Sequence, residues 1–233
     1  MKRLIIASTS TIHGSGYLEY ILPELKTFFN TIDEILFIPY ARPSGISYDA
    51  YTKIASIAFK KIGITVKGIH KFTDAQEAVK NALAVFVGGG NTFVLVDELY
   101  KQNLFTVLKV KLNSGIPYLG TSAGSNICGP TMQTTNDMPI VYPPNYATLG
   151  MIPFNINAHY LDSDISSTHK GETRETRIKE FHYYNDIPVL GLREGSWLEV
   201  NGDEIILKGT LKARLFTHHN KPVELQPEHR IVV

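Results

Sequence analysis

One short segment of this chain has the residue types and the order of a nucleophile site. Gly120-Thr121-Ser122-Ala123-Gly124 follows directly on the apolar run Ile116-Pro117-Tyr118-Leu119. A serine among small residues where a strand ends and a helix starts near Ala123 is the Gly-x-Ser-x-Gly turn, which exposes a hydroxyl for attack on a carbonyl. The glycines allow the tight bend, and the helix start aims unpaired N–H groups at the reacting centre. A turn with no chemistry has the same composition, so the pentapeptide needs partners. A serine hydroxyl is a poor nucleophile until a base removes its proton. His159 is the candidate base, in a loop-rich stretch whose neighbours Phe154, Ile156, Tyr160 and Leu161 are apolar enough to bury it. A histidine titrates near neutrality and can hand the proton to a leaving amine. His13, His70, His169, His182, His218, His219 and His229 read as surface histidines.

An oxyanion formed at the serine needs two backbone donors. The Ala123 N–H is the natural first; the second should come from a neighbouring strand end, where Gly88-Gly89-Gly90 permits close backbone approach. A nucleotide-binding reading of that triplet fails: the third glycine would fall at Phe93, and no phosphate-loop lysine follows.

The elements that must position these groups alternate through the first half. Strands are predicted at Leu4–Ala7, Ile35–Ile38, Ile64–Ile69 and Leu83–Val87. Helical spacing runs over Tyr17–Asn30, from Tyr48 to Ile62, over Ala75–Ala82, and after Asn91 with Phe93, Val96, Leu99 and Tyr100 facing inward. Buried strands with helical crossovers indicate a mainly parallel sheet covered on both faces, which binds ligands at the carboxyl ends of its strands. Gly88–Gly90 and Ser122 both lie at such ends. Residues 129 to 171 read as long functional loops with small strands. Thr173–Tyr184 reads as a helix, and Ile187–Leu192, Trp197–Val200 and Glu204–Leu207 as strands, with Asn201-Gly202 as a hairpin turn. The tail reads as strand and loop.

At 233 residues, 43% apolar and 19% charged, the chain suits one sizeable core and a single domain, 1–233. A net charge of +1 without a basic run gives no nucleic-acid surface. The apolar stretch after Met1 is too short for a signal peptide and reads as a buried first strand, and no run is long enough to span a membrane. The single Cys128 excludes an internal disulfide and a cysteine-rich zinc site, suits the cytoplasm, and reads as a small buried hydrophobe. No metal-ligand spacing appears and no cofactor is expected.

Six blocks in order resemble the peptidase E family, within the wider peptidase E and cyanophycinase group. They are Gly88–Thr92, Gly120–Asn126, Pro130-Thr131 with Thr134–Val141, Pro153–Asp162, Gly171–Glu175 and Gly191–Gly195. The resemblance implies a single-domain three-layer α/β sandwich like that of class I glutamine amidotransferases. It also implies a cytoplasmic serine dipeptidase, monomeric or a small homo-oligomer, that cleaves Asp-X dipeptides through an acyl-enzyme. By resemblance Gly90 is the second oxyanion donor, and Asp137 and Glu194 compete to orient His159. Glu194 follows an apolar strand but has Arg193 beside it as an ion-pair partner; Asp137 lies in a polar loop where a turn-forming role is the alternative. A substrate aspartate calls for an arginine, whose guanidinium matches a carboxylate bidentately. Arg174 is the first choice, then Arg177 and Arg193, with Glu172 or Glu175 for the α-ammonium. Ala158 departs from the family's proline before the histidine, a change expected to loosen that loop. Two alternatives remain: a cyanophycinase-like or isoaspartyl hydrolase of the same fold, or a non-catalytic amidotransferase-like binding module.

Overall fold

Strand β1 (Arg3–Ala7) shows why the central sheet is apolar on both sides. Successive side chains of a strand point to opposite faces. Leu4 and Ile6 join one core cluster, and Ile5 and Ala7 another. The same division holds in β2 (Glu34–Ile38), where Leu36 and Ile38 oppose Ile35 and Phe37, and in β4 (Val85–Val87), where Val85 and Val87 oppose Phe86. Strands buried on both faces need helices on both sides.

A computed structural model describes residues 1–43, 45–163 and 171–232; His169 lies outside them. The strands β3 (Thr65–Gly68), β2, β4, β5 (Pro117–Thr121), β1, β8 (Ser196–Asn201) and β9 (Glu204–Gly209) form one sheet in that order. Its first five strands are parallel, and β8 and β9 add antiparallel beside β1. Helices α1 (Leu22–Phe28) and α2 (Tyr48–Lys60) pack on one face. On the other lie α3 (Ala75–Asn81), α4 (Thr92–Lys101) and α5 (Leu104–Asn113). This is the expected α/β architecture with a mainly parallel central sheet.

The chain departs from its sequence pattern in three places. The predicted helix over Tyr17–Asn30 begins only at Leu22: Leu18 is left-handed, Glu19–Ile21 is a short 3-10 turn, and Pro23 sits in the first helical turn, where a missing N–H costs nothing. The helix expected after Asn91 is α4, capped by the Asn91 side chain; behind it Asn103 takes a left-handed conformation and a further helix, α5, starts that the sequence pattern does not indicate. A small strand expected within 129–171, the strand expected over Ile187–Leu192 and strands of the tail are all present, but they assemble into a second sheet that the local pattern does not show. Here β6 (Asn155–Ala158), β7 (Val189–Leu192), β10 (Ala213–Phe216) and β11 (Val223–Leu225) pair in the order β11-β10-β7-β6, with β6 and β7 parallel. Its strands have three or four residues each, too few to show a period. Ile156, Leu190, Leu192 and Ala213 of this sheet share a core cluster with the helix-covered face of the first.

Helix α6 (Ala123–Asn126) is a single turn pressed against β4 and β5. A Cβ on Gly124 would stand 2.2 Å from the Val87 carbonyl oxygen, and one on Gly120 would stand 2.5 Å from that of Gly124. These two glycines therefore set the approach of the turn to the sheet. Gly124→Ala forces backbone apart rather than a pliable side chain. It is expected to cost about 3 kcal/mol, a fall in Tm of roughly 6–12 °C for a chain of this size, read by thermal unfolding. An unchanged Tm would mean that this approach carries no strain.

Candidate active site

Four strand ends converge. Ala7 of β1 is in register with Thr121 of β5, and Ala158 of β6 with Leu192 of β7. The residues just beyond are Ser8, Ser122, His159 and, after Arg193, Glu194. Ser122 stands between β5 and α6 at φ 52°, ψ −109°, a backbone state costly for a side-chain-bearing residue. Its N–H donates to the Ala7 carbonyl at 3.1 Å, and its own carbonyl accepts from Ser125 and Asn126. The hydroxyl is left to face outward.

The Ser122 Oγ lies 2.8 Å from His159 Nε2, and His159 Nδ1 lies 2.6 Å from Glu194 Oε1. An ionised carboxylate only accepts hydrogen bonds, so Nδ1 carries the proton and Nε2 is free to receive the serine O–H. The histidine and glutamate side chains are 37% and 48% exposed, so the row opens to solvent on one side. Glu194 sits on the turn that carries the chain from β7 of the second sheet to β8 of the first. That turn is closed by Ser196 N–H to Arg193 O at 3.1 Å and by the positive φ of Gly195.

Asp137 lies elsewhere. Its Oδ2 accepts from the Thr92 N–H (2.8 Å), the Thr92 hydroxyl (2.6 Å) and the Thr135 hydroxyl (2.9 Å). A carboxylate at the first N–H of α4 compensates the unpaired donors and the positive end of that helix. The same polar cluster reaches the histidine strand. Asn126 Nδ2 donates to Thr92 and Thr135, and Asn136 Nδ2 donates to the Ala158 carbonyl at 2.7 Å. The run Thr134–Asp137 thus ties α4, α6 and the end of β6 together. The Ala158 N–H points to Asn126 Oδ1 at 3.4 Å, a donor that a proline here would lack. Ala158 itself is buried and in register, so the substitution leaves the histidine strand paired.

The glycine loop touches the serine from the side. A Cβ on Gly89 would lie 3.0 Å from that of Ser122, and Gly90 takes φ +144° against the Ala41 carbonyl. Tyr51 and Arg42 both donate to the Gly89 carbonyl, which fixes the orientation of the Gly89–Gly90 peptide. Among the described residues, neither the Gly90 nor the Ala123 N–H has an acceptor within the protein.

The arginines separate cleanly. Arg193 does not pair with its neighbour Glu194. It chelates Asp162 and Glu224, bonds the Lys212 carbonyl and lies over the Tyr160 ring, and these carboxylates push its pKa up. It is thereby committed to holding the histidine loop. Tyr160 in turn lies flat on Gly191, where a Cβ would meet its ring at 2.6 Å. Arg177 pairs loosely with Glu172 at 3.7 Å on the exposed side of α7 (Arg174–Tyr184). Glu175 is engaged by Arg214 and Lys179. Arg174, half-buried at the start of α7, has no ion pair among the described residues. Desolvation lowers its pKa, the Arg177 charge adds to this, and Asp137 opposes both. Cys128 is fully buried and its thiol is pushed up to about 12 by desolvation, as befits a packing residue.

Sequence reading missed Ser8, Asn126, Asn136 and Arg42, all of which hold backbone near the serine and histidine. Asn126 and Asn136 lie within the marked blocks Gly120–Asn126 and Thr134–Val141 but carry no assigned role there, and nothing local marks Ser8 or Arg42, since each acts on a segment distant in sequence. Among the described residues no group of three or more His, Cys, Asp or Glu side chains could hold a metal ion, and no helix is long and apolar enough to cross a membrane. Asp137→Ala would leave the first α4 N–H without its acceptor and remove the carboxylate that the Thr92 and Thr135 hydroxyls share. The expected loss is about 2 kcal/mol of stability, read as a lower midpoint in urea; a midpoint unchanged from wild type would remove Asp137 from the framework.

The family model for peptidase family S51 matches residues 4–208. A protein named peptidase E from Streptomyces coelicolor is 49% identical over 222 residues, covering 95% of this chain and 90% of its own. One named probable alpha-aspartyl dipeptidase, from Drosophila melanogaster, is 43% identical over 229 residues, covering 97% and 94%. A solved peptidase from an acI-B1 Actinobacterium shares the fold at a TM-score of 0.73 and 17% identity, covering 100% of this chain and 97% of that one. With a family match across most of its length and relatives above 40% identity at nearly full coverage, this chain belongs to peptidase family S51 and is a serine peptidase.

Proposed function

We propose that the chain is a dipeptidase that releases an N-terminal aspartate from Asp-X dipeptides, with Ser122 as nucleophile, His159 as general base and Glu194 as the acid that orients it. The observation that carries this reading is the unbroken row from Ser122 Oγ through His159 to Glu194, with bonds of 2.8 and 2.6 Å. Ser122 attacks the scissile carbonyl while Nε2 takes its proton. The imidazolium, held by Glu194, returns that proton to the leaving amine, and water then cleaves the acyl-enzyme by the same route. The N–H groups of Gly90 and Ala123 receive the oxyanion. Asp137 is a framework residue in this scheme. The name of the Drosophila relative supports the aspartyl substrate, and Arg174 supports it physically, because a half-buried guanidinium with no ion pair among the described residues gains from an incoming carboxylate. Cytoplasmic location is part of the proposal and rests on the lone, buried Cys128.

Hydrolysis of Asp-Leu, Asn-Leu and isoaspartyl-leucine by wild type and variants tests the reading. Wild type should prefer Asp-Leu, and Ser122→Ala should lose turnover while remaining folded. Glu194→Gln should lower kcat by about 10³–10⁴, since orientation and charge compensation of the imidazole are lost together. Near-wild-type rates in either variant would sink the mechanism, and preference for the isoaspartyl substrate would redirect it to an isoaspartyl hydrolase.

Specificity has its own measurement. Arg174→Ala should reduce kcat/KM for Asp-Leu by about 100-fold, the consequence of leaving the substrate carboxylate without its partner in a partly desolvated site. Its effect on Asn-Leu should be small. Equal losses on both dipeptides would assign Arg174 to structure or catalysis and pass recognition of the aspartate to Arg177.

A further inference from the structure

Ser8 follows β1 directly and is fully buried, yet no step of the reaction uses its hydroxyl. Its Oγ donates to the Leu192 carbonyl at 2.7 Å and accepts the His159 N–H at 2.9 Å. Its own N–H donates to the Ser196 carbonyl at 3.1 Å. Leu192 and Ser196 bracket the turn that carries Glu194. One side chain and one peptide therefore grip the base at its backbone and the glutamate turn at both ends. The preceding carbonyl, of Ala7, receives the Ser122 N–H and the Ser125 hydroxyl. The dipeptide Ala7-Ser8 thus touches the segment of every member of the row.

His159 needs such a grip. It sits at φ 54°, a conformation that a histidine keeps only when its surroundings over-determine it. Ser8 holds its N–H, and the next N–H, of Tyr160, bonds the same Leu192 carbonyl at 3.1 Å. We infer that Ser8 is a positioning residue for the reaction: its hydroxyl locks the histidine loop to the glutamate turn, and so sets the register of Nε2 against Ser122 and of Nδ1 against Glu194. The inference rests on the serine-peptidase reading above. Misplacing a catalytic group by about 1 Å can cost on the order of 100-fold in rate without touching substrate affinity.

The test compares wild type, Ser8→Ala, Glu194→Gln and the double variant. It reads kcat and KM on Asp-Leu, and the rate at which a fluorophosphonate labels Ser122, by intact mass. In labelling, the Ser122 oxygen bonds to phosphorus, fluoride leaves and the proton passes to His159, so the readout depends on the pair without requiring an aspartyl substrate. Ser8→Ala should lower both kcat and the labelling rate by about 100-fold with KM within roughly threefold. The double variant should be little worse than Glu194→Gln alone, because both act through the same imidazole. A folded Ser8→Ala with wild-type kcat and labelling overturns the proposal, as do losses that multiply in the double variant. If Ser8→Ala does not fold, Ser8→Cys keeps the volume with a weak hydrogen-bonding group and carries the same two outcomes. Wild type that labels normally but does not cleave Asp-Leu refutes the substrate and leaves the role of Ser8 to be judged by labelling. Wild type that does not label at Ser122 refutes the nucleophile and this role with it.

Discussion

The close approach of a single helical turn to two strands is the constraint on which this site depends. Gly124 lies so near the Val87 carbonyl, and Gly120 so near Gly124, that no side chain fits at either position. With that gap closed, the backbone between them must reverse within one residue, and Ser122 takes the unfavourable conformation that turns its hydroxyl away from the sheet. The same closeness brings Gly89 alongside the serine, so that a second backbone segment, already oriented by Tyr51 and Arg42, lies next to the reacting position. Strain, exposure of the Ser122 hydroxyl and the placement of the proposed oxyanion donors thus share one steric cause.

The second sheet answers a different need. An imidazole must present one nitrogen to the serine and the other to a carboxylate, and no single strand end can supply both neighbours. A second sheet can: β6 and β7 run parallel and in register, so their termini offer His159 and Glu194 side by side. The return of the chain into β8 anchors the glutamate turn to the first sheet. Short strands suffice because their apolar faces share a core with the larger sheet, so burial rather than strand length holds them.

Charge is distributed so that the row from Ser122 to Glu194 is not neutralised by its own surroundings. Arg193 is adjacent to Glu194 in sequence but turns away to Asp162 and Glu224, leaving the glutamate to the histidine. Asp137 is consumed by Thr92 and Thr135 at the start of α4. Arg174 has no ion pair among the described residues, and desolvation and the Arg177 charge lower its pKa while the Asp137 charge opposes them.

The local signals in the sequence were those of sterics and period. Strand alternation and helical spacing made the parallel sheet and its helices legible. Glycines around a serine marked the turn, because their effect is exerted within a few bonds. The apolar neighbours of His159 marked it for the same reason. The choice between Asp137 and Glu194 was not available locally, since both are acids in plausible loops. That Glu194 and not Asp137 lies beside the imidazole depends on which strand ends the tertiary structure juxtaposes, a matter of register between β6 and β7 and not of residue type. The break of the first predicted helix at Leu18, the helix behind Asn103 and the pairing of the second sheet were invisible for related reasons: left-handed residues leave no periodic trace, and a strand such as Ile187–Leu192, legible by itself, carries no local sign of its partners. Ser8 is the extreme case. Nothing near it in the chain distinguishes it from Ser10 or Ser15. Its partners lie about 150 to 190 positions away, so only the folded chain brings its hydroxyl between the histidine and the glutamate turn.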